Sequence, residues 1–149
     1  MYELARKIIA NSSPDSSIYI GCDSKVFKSN DRWFARYVTV IVVHRDSKHG
    51  AQVFHYSETQ PDYKNIRTRM VTEAYHAIKV FDGIADVVGD RHVEIHLDIN
   101  ASPEHKSNVA AAEAVGYVLG VTGIKPKIKP EAFAASYAAD HCVRGKNRF

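Results

Sequence analysis

The sequence predicts an α/β domain built on a mixed sheet, and three observations carry that expectation. Three β-rich stretches joined by short polar turns come first. The apolar spacing then changes from a period of two to the helical period, and helical and strand-like segments alternate from there on. The chain has 149 residues, and no shift in composition marks a second unit. One domain over residues 1–149 is expected, with a short N-terminal helix over 2–10, a core over 16–142 and a basic tail over 143–149.

Residues 2–10 set Leu4, Ala5, Ile8 and Ile9 on one helical face ahead of the turn cluster NSSPDSS, which predicts a short amphipathic helix. IYIGCDSKVF at 18–27 is rich in β-branched and aromatic residues and leads into the turn residues KSND, so it reads as a first strand ending in a hairpin. WFARYVTVIVVH at 33–44 is the second strand. RDSKHG is the next turn, and AQVFHYSET the third strand of an antiparallel meander. After Pro61, Met70, Ala74, Ala77, Ile78 and Phe81 recur at helical spacing, predicting a helix over 63–81.

HVEIHLDI at 92–99 alternates strictly, with Val93, Ile95, Leu97 and Ile99 on one face and His92, Glu94, His96 and Asp98 on the other, as a fourth strand does. Ser102 is a suitable N-cap and Pro103 a suitable first residue for a second long helix that ends at Gly120. IKPKIKP at 124–130 alternates too, and prolines at alternate positions restrict it to an edge strand. Pro130 then opens a final helix, EAFAASYAADHCV. Strands four and five, joined through a helix, are expected to lie parallel in the same sheet.

Hydrophobic residues make up 45% and charged residues 25% of the chain, a globular balance that supports a core without staples. The longest near-continuous apolar run, Val38 to Val43, is far short of the roughly 20 residues of a membrane helix. The first residues lack a basic leader and apolar block, and Cys22 and Cys142 lack the spacing of a disulfide framework. A cytoplasmic protein with no membrane partner and two free thiols is expected. The net charge of +3 is compatible with a phosphate-bearing partner.

Four acids stand out. Asp23 follows the apolar run of the first strand, and Asp98 lies near the end of the fourth. If those strands are parallel neighbours, both carboxylates emerge at the carboxyl edge, where open α/β sheets place ligands. Asp140 interrupts an apolar run late in the final helix, where the helix dipole disfavours an acid, so its position asks for a cation. Glu73 falls about 100° from the centre of its helix's apolar stripe, on the border of the buried face. Each acid alone is equally a cap, a turn or a solvated residue. Together they suit paired divalent ions that promote in-line displacement at phosphorus, and oxygen donors without thiolates suit Mg²⁺ or Mn²⁺.

The stretches IYIGCDSK, VTVIVVH, HLDIN, KSN followed by VGYVLG, and KPEAFAASYAAD resemble the YkuK-type ribonuclease H-like family over residues 16–142. The resemblance implies a ribonuclease H-like fold, a five-stranded mixed sheet of order 3-2-1-4-5 flanked by helices, and a metal-dependent nuclease site. By the same resemblance Asp23 corresponds to the first-strand aspartate, Glu73 to the helix glutamate, Asp98 to the fourth-strand aspartate and Asp140 to the final-helix acid.

Asn100 and Lys106, with Ser107 and Asn108, follow the fourth strand and either orient a phosphate or water near Asp98 or only shape a turn and a helix surface. Lys125, Lys127 and Lys129 project from one face of an edge strand, where they follow a nucleic-acid backbone or keep the edge from pairing with another sheet. His92 and His96 are about 13 Å apart along a strand, too far to share a zinc ion. His96 shares the face of Asp98. The expected function is a nuclease that hydrolyses RNA, an RNA–DNA hybrid or structured DNA with two Mg²⁺ or Mn²⁺ ions. The alternative is a catalytically silent nucleic-acid-binding or assembly module on the same scaffold.

Overall fold

Period-two patterning through the first sixty residues produces three long strands, β1 (Ser17–Ser29), β2 (Arg32–His44) and β3 (Ala51–Pro61). A computed structural model of the chain describes residues 1–47, 50–99 and 108–129. β1 and β2 pair antiparallel from Ser17↔His44 to Ser29↔Arg32, which leaves Asn30 and Asp31 as a two-residue turn. Both have positive φ, 50° and 60°, the left-handed geometry that matches hairpin twist and that Asn and Asp tolerate better than other residues with a side chain. β3 returns antiparallel to β2.

A fourth strand, β4 (His92–Leu97), lies parallel to β1 on its other side, so the sheet order is β3-β2-β1-β4. β2 is buried without interruption from Tyr37 to Val43, as a strand covered on both faces is. The main core holds Ile18, Ile20 and Cys22 of β1 with Ile95 and Leu97 of β4, under the helices. Val38, Val40 and Val42 form a smaller cluster with Tyr19 and Val53.

Three helices are seen among the described residues: α1 (Glu3–Asn11), α2 (Ile66–Val88) and α3 (Asn108–Thr122). The Asn65 side chain caps α2 by accepting the Thr68 N–H at 3.0 Å. α2 outruns the expected end at Phe81 because Ile84 and Val88 continue its buried stripe to Gly89. Within it Gly83 is set by packing, since a Cβ there would lie 2.4 Å from the Tyr2 ring of the N-terminal segment. Arg6 of α1 completes that contact, donating to the Gly83 carbonyl at 2.9 Å and to both Asp86 oxygens. α3 buries Ala110, Ala111, Ala114 and Val118, and Glu113 accepts two hydrogen bonds from Arg67 of α2. It runs through the expected stop at Gly120 and ends where Gly123, with φ of 75°, donates its N–H to the Leu119 carbonyl.

Two expectations need correction. β4 ends at Leu97 rather than Ile99, because Ile99 donates its N–H back to the Leu97 carbonyl at 2.8 Å and folds the chain around Asp98. The expected fifth strand is correspondingly reduced to one parallel bridge, His96 to Lys127. Its backbone still docks on β4: Lys127 N–H donates to Ile95, Leu97 N–H to Lys127 and Lys129 N–H to Ile99, at 2.8, 2.9 and 3.0 Å. Alternation within it holds, with Pro126 buried and the three lysines exposed. The described residues thus form a four-stranded sheet of order 3-2-1-4, and the final helix expected from Pro130 lies outside them.

Ile95 is wholly buried at the centre of the β1–β4 pairing. Ile95→Ala is expected to lower unfolding free energy by about 2–5 kcal/mol through lost burial and the cavity left behind, as read from urea denaturation midpoints.

Candidate functional site

β1 is buried from Ser17 through Cys22, except for the half-buried Tyr19, and opens at Asp23. Its pairing with β4 ends at Cys22↔Leu97, while its pairing with β2 continues to Ser29. Asp23 and Asp98 are the next residue of each strand. Both therefore lie just past the end of the shared ladder, at the carboxyl edge of the sheet, with Asp98 in the turn that closes β4. The fold of the chain at Asp98 leaves its side chain 20% exposed, so the acid is held by protein yet reachable from solvent.

The alternation that buries Ile20 and Cys22 toward α2 also turns Ser24 toward that helix. Its hydroxyl donates to Glu73 Oε2 at 2.5 Å, while its amide donates to Asp23 Oδ1 at 2.8 Å, so one residue orients two of the acids. Glu73 is half-buried, on the border of the helix's apolar face where its angular position put it. Its carboxyl titrates well above the ordinary carboxylate value. Burial is the main cause, the charges of Asp23 and Asp98 add to it, and the Ser24 hydroxyl and Arg69 oppose it. Asp23, Glu73 and Asp98 therefore share one electrostatic neighbourhood, assembled from β1, α2 and the end of β4.

A cation also belongs to this neighbourhood. Lys129 Nζ stands 2.8 Å from Asp98 Oδ1. Its pKa is raised by the contact with Asp98 first, and by the charges of Asp98, Asp23 and Glu73, against the opposing effect of burial. Lys125 and Lys127 of the same row are exposed. The Cys22 thiol beneath the acids is pushed well above its ordinary pKa, mainly by burial, and is a packed, unreactive group. His96, on the face of Asp98, is fully buried and committed elsewhere: Glu94 accepts from its Nε2 at 2.8 Å and from His92 Nε2 at 2.6 Å.

Three hard oxygen-bearing side chains whose charges oppose one another have the chemistry that suits Mg²⁺ or Mn²⁺. As they stand, with Lys129 against Asp98, no three His, Cys, Asp or Glu side chains among the described residues are grouped so as to hold one ion. Asp140, Asn100 and Lys106 lie outside the described residues. The alignment of strand ends was foreseeable from the sequence, whereas the pairing of Ser24 with Glu73 and of Lys129 with Asp98 was missed. The period-two alternation of β1 carried a signal for the first. For the second no local signal existed, because it depends on how residues 124–129 register against β4.

The raised pKa of Glu73 has a stability consequence. Its contribution is full below the unfolded carboxyl value near 4.5 and is lost as pH rises through the higher folded value. Glu73→Gln keeps an oxygen acceptor for Ser24 and removes the charge. It is expected to raise the melting temperature at neutral pH, with the gain shrinking to nothing as pH falls toward 4.5. Thermal melts across that range check it, and a gain independent of pH would contradict the electrostatic account.

A chain in the cryo-electron microscopy structure of the simian T-cell lymphotropic virus intasome in complex with PP2A regulatory subunit B56 gamma is 12% identical to this one, with a TM-score of 0.41. The match covers 85% of this chain and 37% of that one, so this chain spans little more than a third of its length. No curated protein matches the chain. A family model described as ribonuclease H-like matches residues 1–144, and the chain belongs to the ribonuclease H-like family, as its YkuK-type motifs imply.

Proposed function

We propose that this chain is a divalent-metal-dependent nuclease that hydrolyses phosphodiester bonds in RNA, an RNA–DNA hybrid or structured DNA. Membership of the ribonuclease H-like family supports the reading. The observation that carries it is the convergence of Asp23 and Asp98, at the carboxyl ends of two parallel strands, with Glu73 from the crossing helix, all within reach of one another's charge. Asp23, Glu73, Asp98 and Asp140 are the residues that would hold two Mg²⁺ or Mn²⁺ ions. When bound, such ions supply an activated water and a counter-charge for the departing oxygen.

The chain's own residues do the positioning. Ser24 holds the Glu73 carboxyl through its hydroxyl and the Asp23 carboxylate through its amide, so the two acids meet a phosphodiester with little reorganisation. Burial beside Asp23 and Asp98 raises the cost of the Glu73 charge in the metal-free protein, so a bound cation would favour its ionised form. Lys125 and Lys127 are exposed and, with Lys129, Asn100 and Lys106, are assigned to the nucleic-acid backbone. No helix among the described residues is long and apolar enough to cross a membrane.

A second reading, a catalytically silent nucleic-acid-binding or assembly module, is favoured by one observation: Asp98 is already neutralised by Lys129. Incubation of the purified protein with RNA, RNA–DNA hybrid, single-stranded DNA and branched DNA in Mg²⁺ or Mn²⁺ separates the two. Cleavage of at least one substrate is expected, slowed by roughly 100-fold or more in Asp98→Asn. Mn²⁺ is expected to raise the melting temperature, and Asp23→Asn to stabilise the metal-free protein while abolishing that response. Absence of cleavage on every substrate, with Asp98→Asn indistinguishable from the parent, would replace the nuclease by the binding module.

A further inference from the structure

We infer that Lys129 is a built-in counter-ion of the acid cluster, which occupies Asp98 in the metal-free protein and must leave it before a divalent ion can load. The inference rests on the nuclease reading in taking Asp98 as a metal ligand, and adds a residue that controls its availability. The ammonium is 2.8 Å from Asp98 Oδ1, the distance of a direct charged contact. It is delivered by a backbone that is itself fixed. Residues 124–129 are hydrogen-bonded to β4 at Lys127 and Lys129, Pro126 is buried, and Ile124 and Ile128 pack against the main core. Lys129 therefore points at Asp98 because the bridge sets its direction, whereas Lys125 and Lys127 have no carboxylate partner among the described salt bridges.

The same geometry permits release. The Lys129 side chain is 45% exposed, so it can swing into solvent by rotamer change while its backbone stays docked. Asp98 Oδ1 is buried behind the ammonium, and a divalent ion on the same carboxylate would meet a like charge a few ångströms away, which opposes simultaneous occupancy. Three carboxylates gathered at one edge need positive charge to coexist, and Lys129 supplies it from within the chain. Metal affinity is then set by competition with a tethered cation.

Isothermal titration of Mn²⁺ into the full chain, compared with Lys129→Met, Lys129→Gln and Lys129→Arg, tests this. The two neutral variants are expected to bind Mn²⁺ at least about fivefold more tightly than the parent, the low end of ordinary site-to-site coupling, and Lys129→Arg to bind like the parent. The neutral variants should also melt lower without metal and show the larger Mn²⁺-induced rise. Equal or weaker affinity in the neutral variants, or tightening by Arg equal to that by Met, overturns the counter-ion role and leaves the nuclease reading standing. Binding to the neutral variants but not to the parent supports the counter-ion role and overturns the nuclease reading for the native chain. No binding to any of them overturns both.

Discussion

The parallel pairing of β1 with β4 determines where everything else in this molecule can go. It runs for six residue pairs and stops at Cys22 and Leu97, while β1 continues against β2. The residue after the last pair is an aspartate in both segments, Asp23 within β1 and Asp98 in the turn after β4. The hydrogen-bond ladder and the buried Ile20, Ile95 and Leu97 beneath it hold both acids in register without any contribution from the acids themselves. Carboxylates that repel one another can be kept adjacent only when a separate source of stability positions them, and here that source is apolar burial.

α2 joins the stability of the core to the chemistry of the edge. Ala74, Ala77, Ile78, Ile84 and Val88 commit it to the sheet, so the border residue Glu73 has no freedom to retreat into water. The cost of that placement appears as a raised pKa and is partly offset by the Ser24 hydroxyl, itself aimed by strand alternation. Ser24 and Glu73 are remote in sequence, and removing the serine hydroxyl would release Glu73 while leaving the backbone amide bond to Asp23 in place. Gly83, nearly three turns further along α2, serves the opposite end of the helix by admitting the Tyr2 ring and seating the N-terminal helix.

Positive charge is distributed just as selectively. Arg6 and Arg67 tie helices together through exposed pairs with Asp86 and Glu113, contacts that are worth little individually but fix helix register. Lys129 is different in kind, because its partner belongs to the acid cluster and its approach is dictated by the docked segment after α3. Its ammonium gives the acid cluster a positive charge from within the chain, together with the charge of Arg69 that acts on Glu73.

Local sequence determined the strands, the two long helices and the alternation that sorts their faces, since period-two and helical spacing depend only on neighbours along the chain. It also marked Asp23, Glu73 and Asp98, because an acid beside an apolar run is conspicuous wherever the chain later goes. Tertiary structure alone decided that β4 stops at Leu97 and that residues 124–129 form a bridge instead of a strand. Both turn on contacts between distant segments: the fold at Asp98 against the docked segment, and Lys127 on His96. The pairing of Lys129 with Asp98 is of the same kind. A lysine's charge can be read from the sequence, but its partner is chosen by register, which is a property of two strands and not of one.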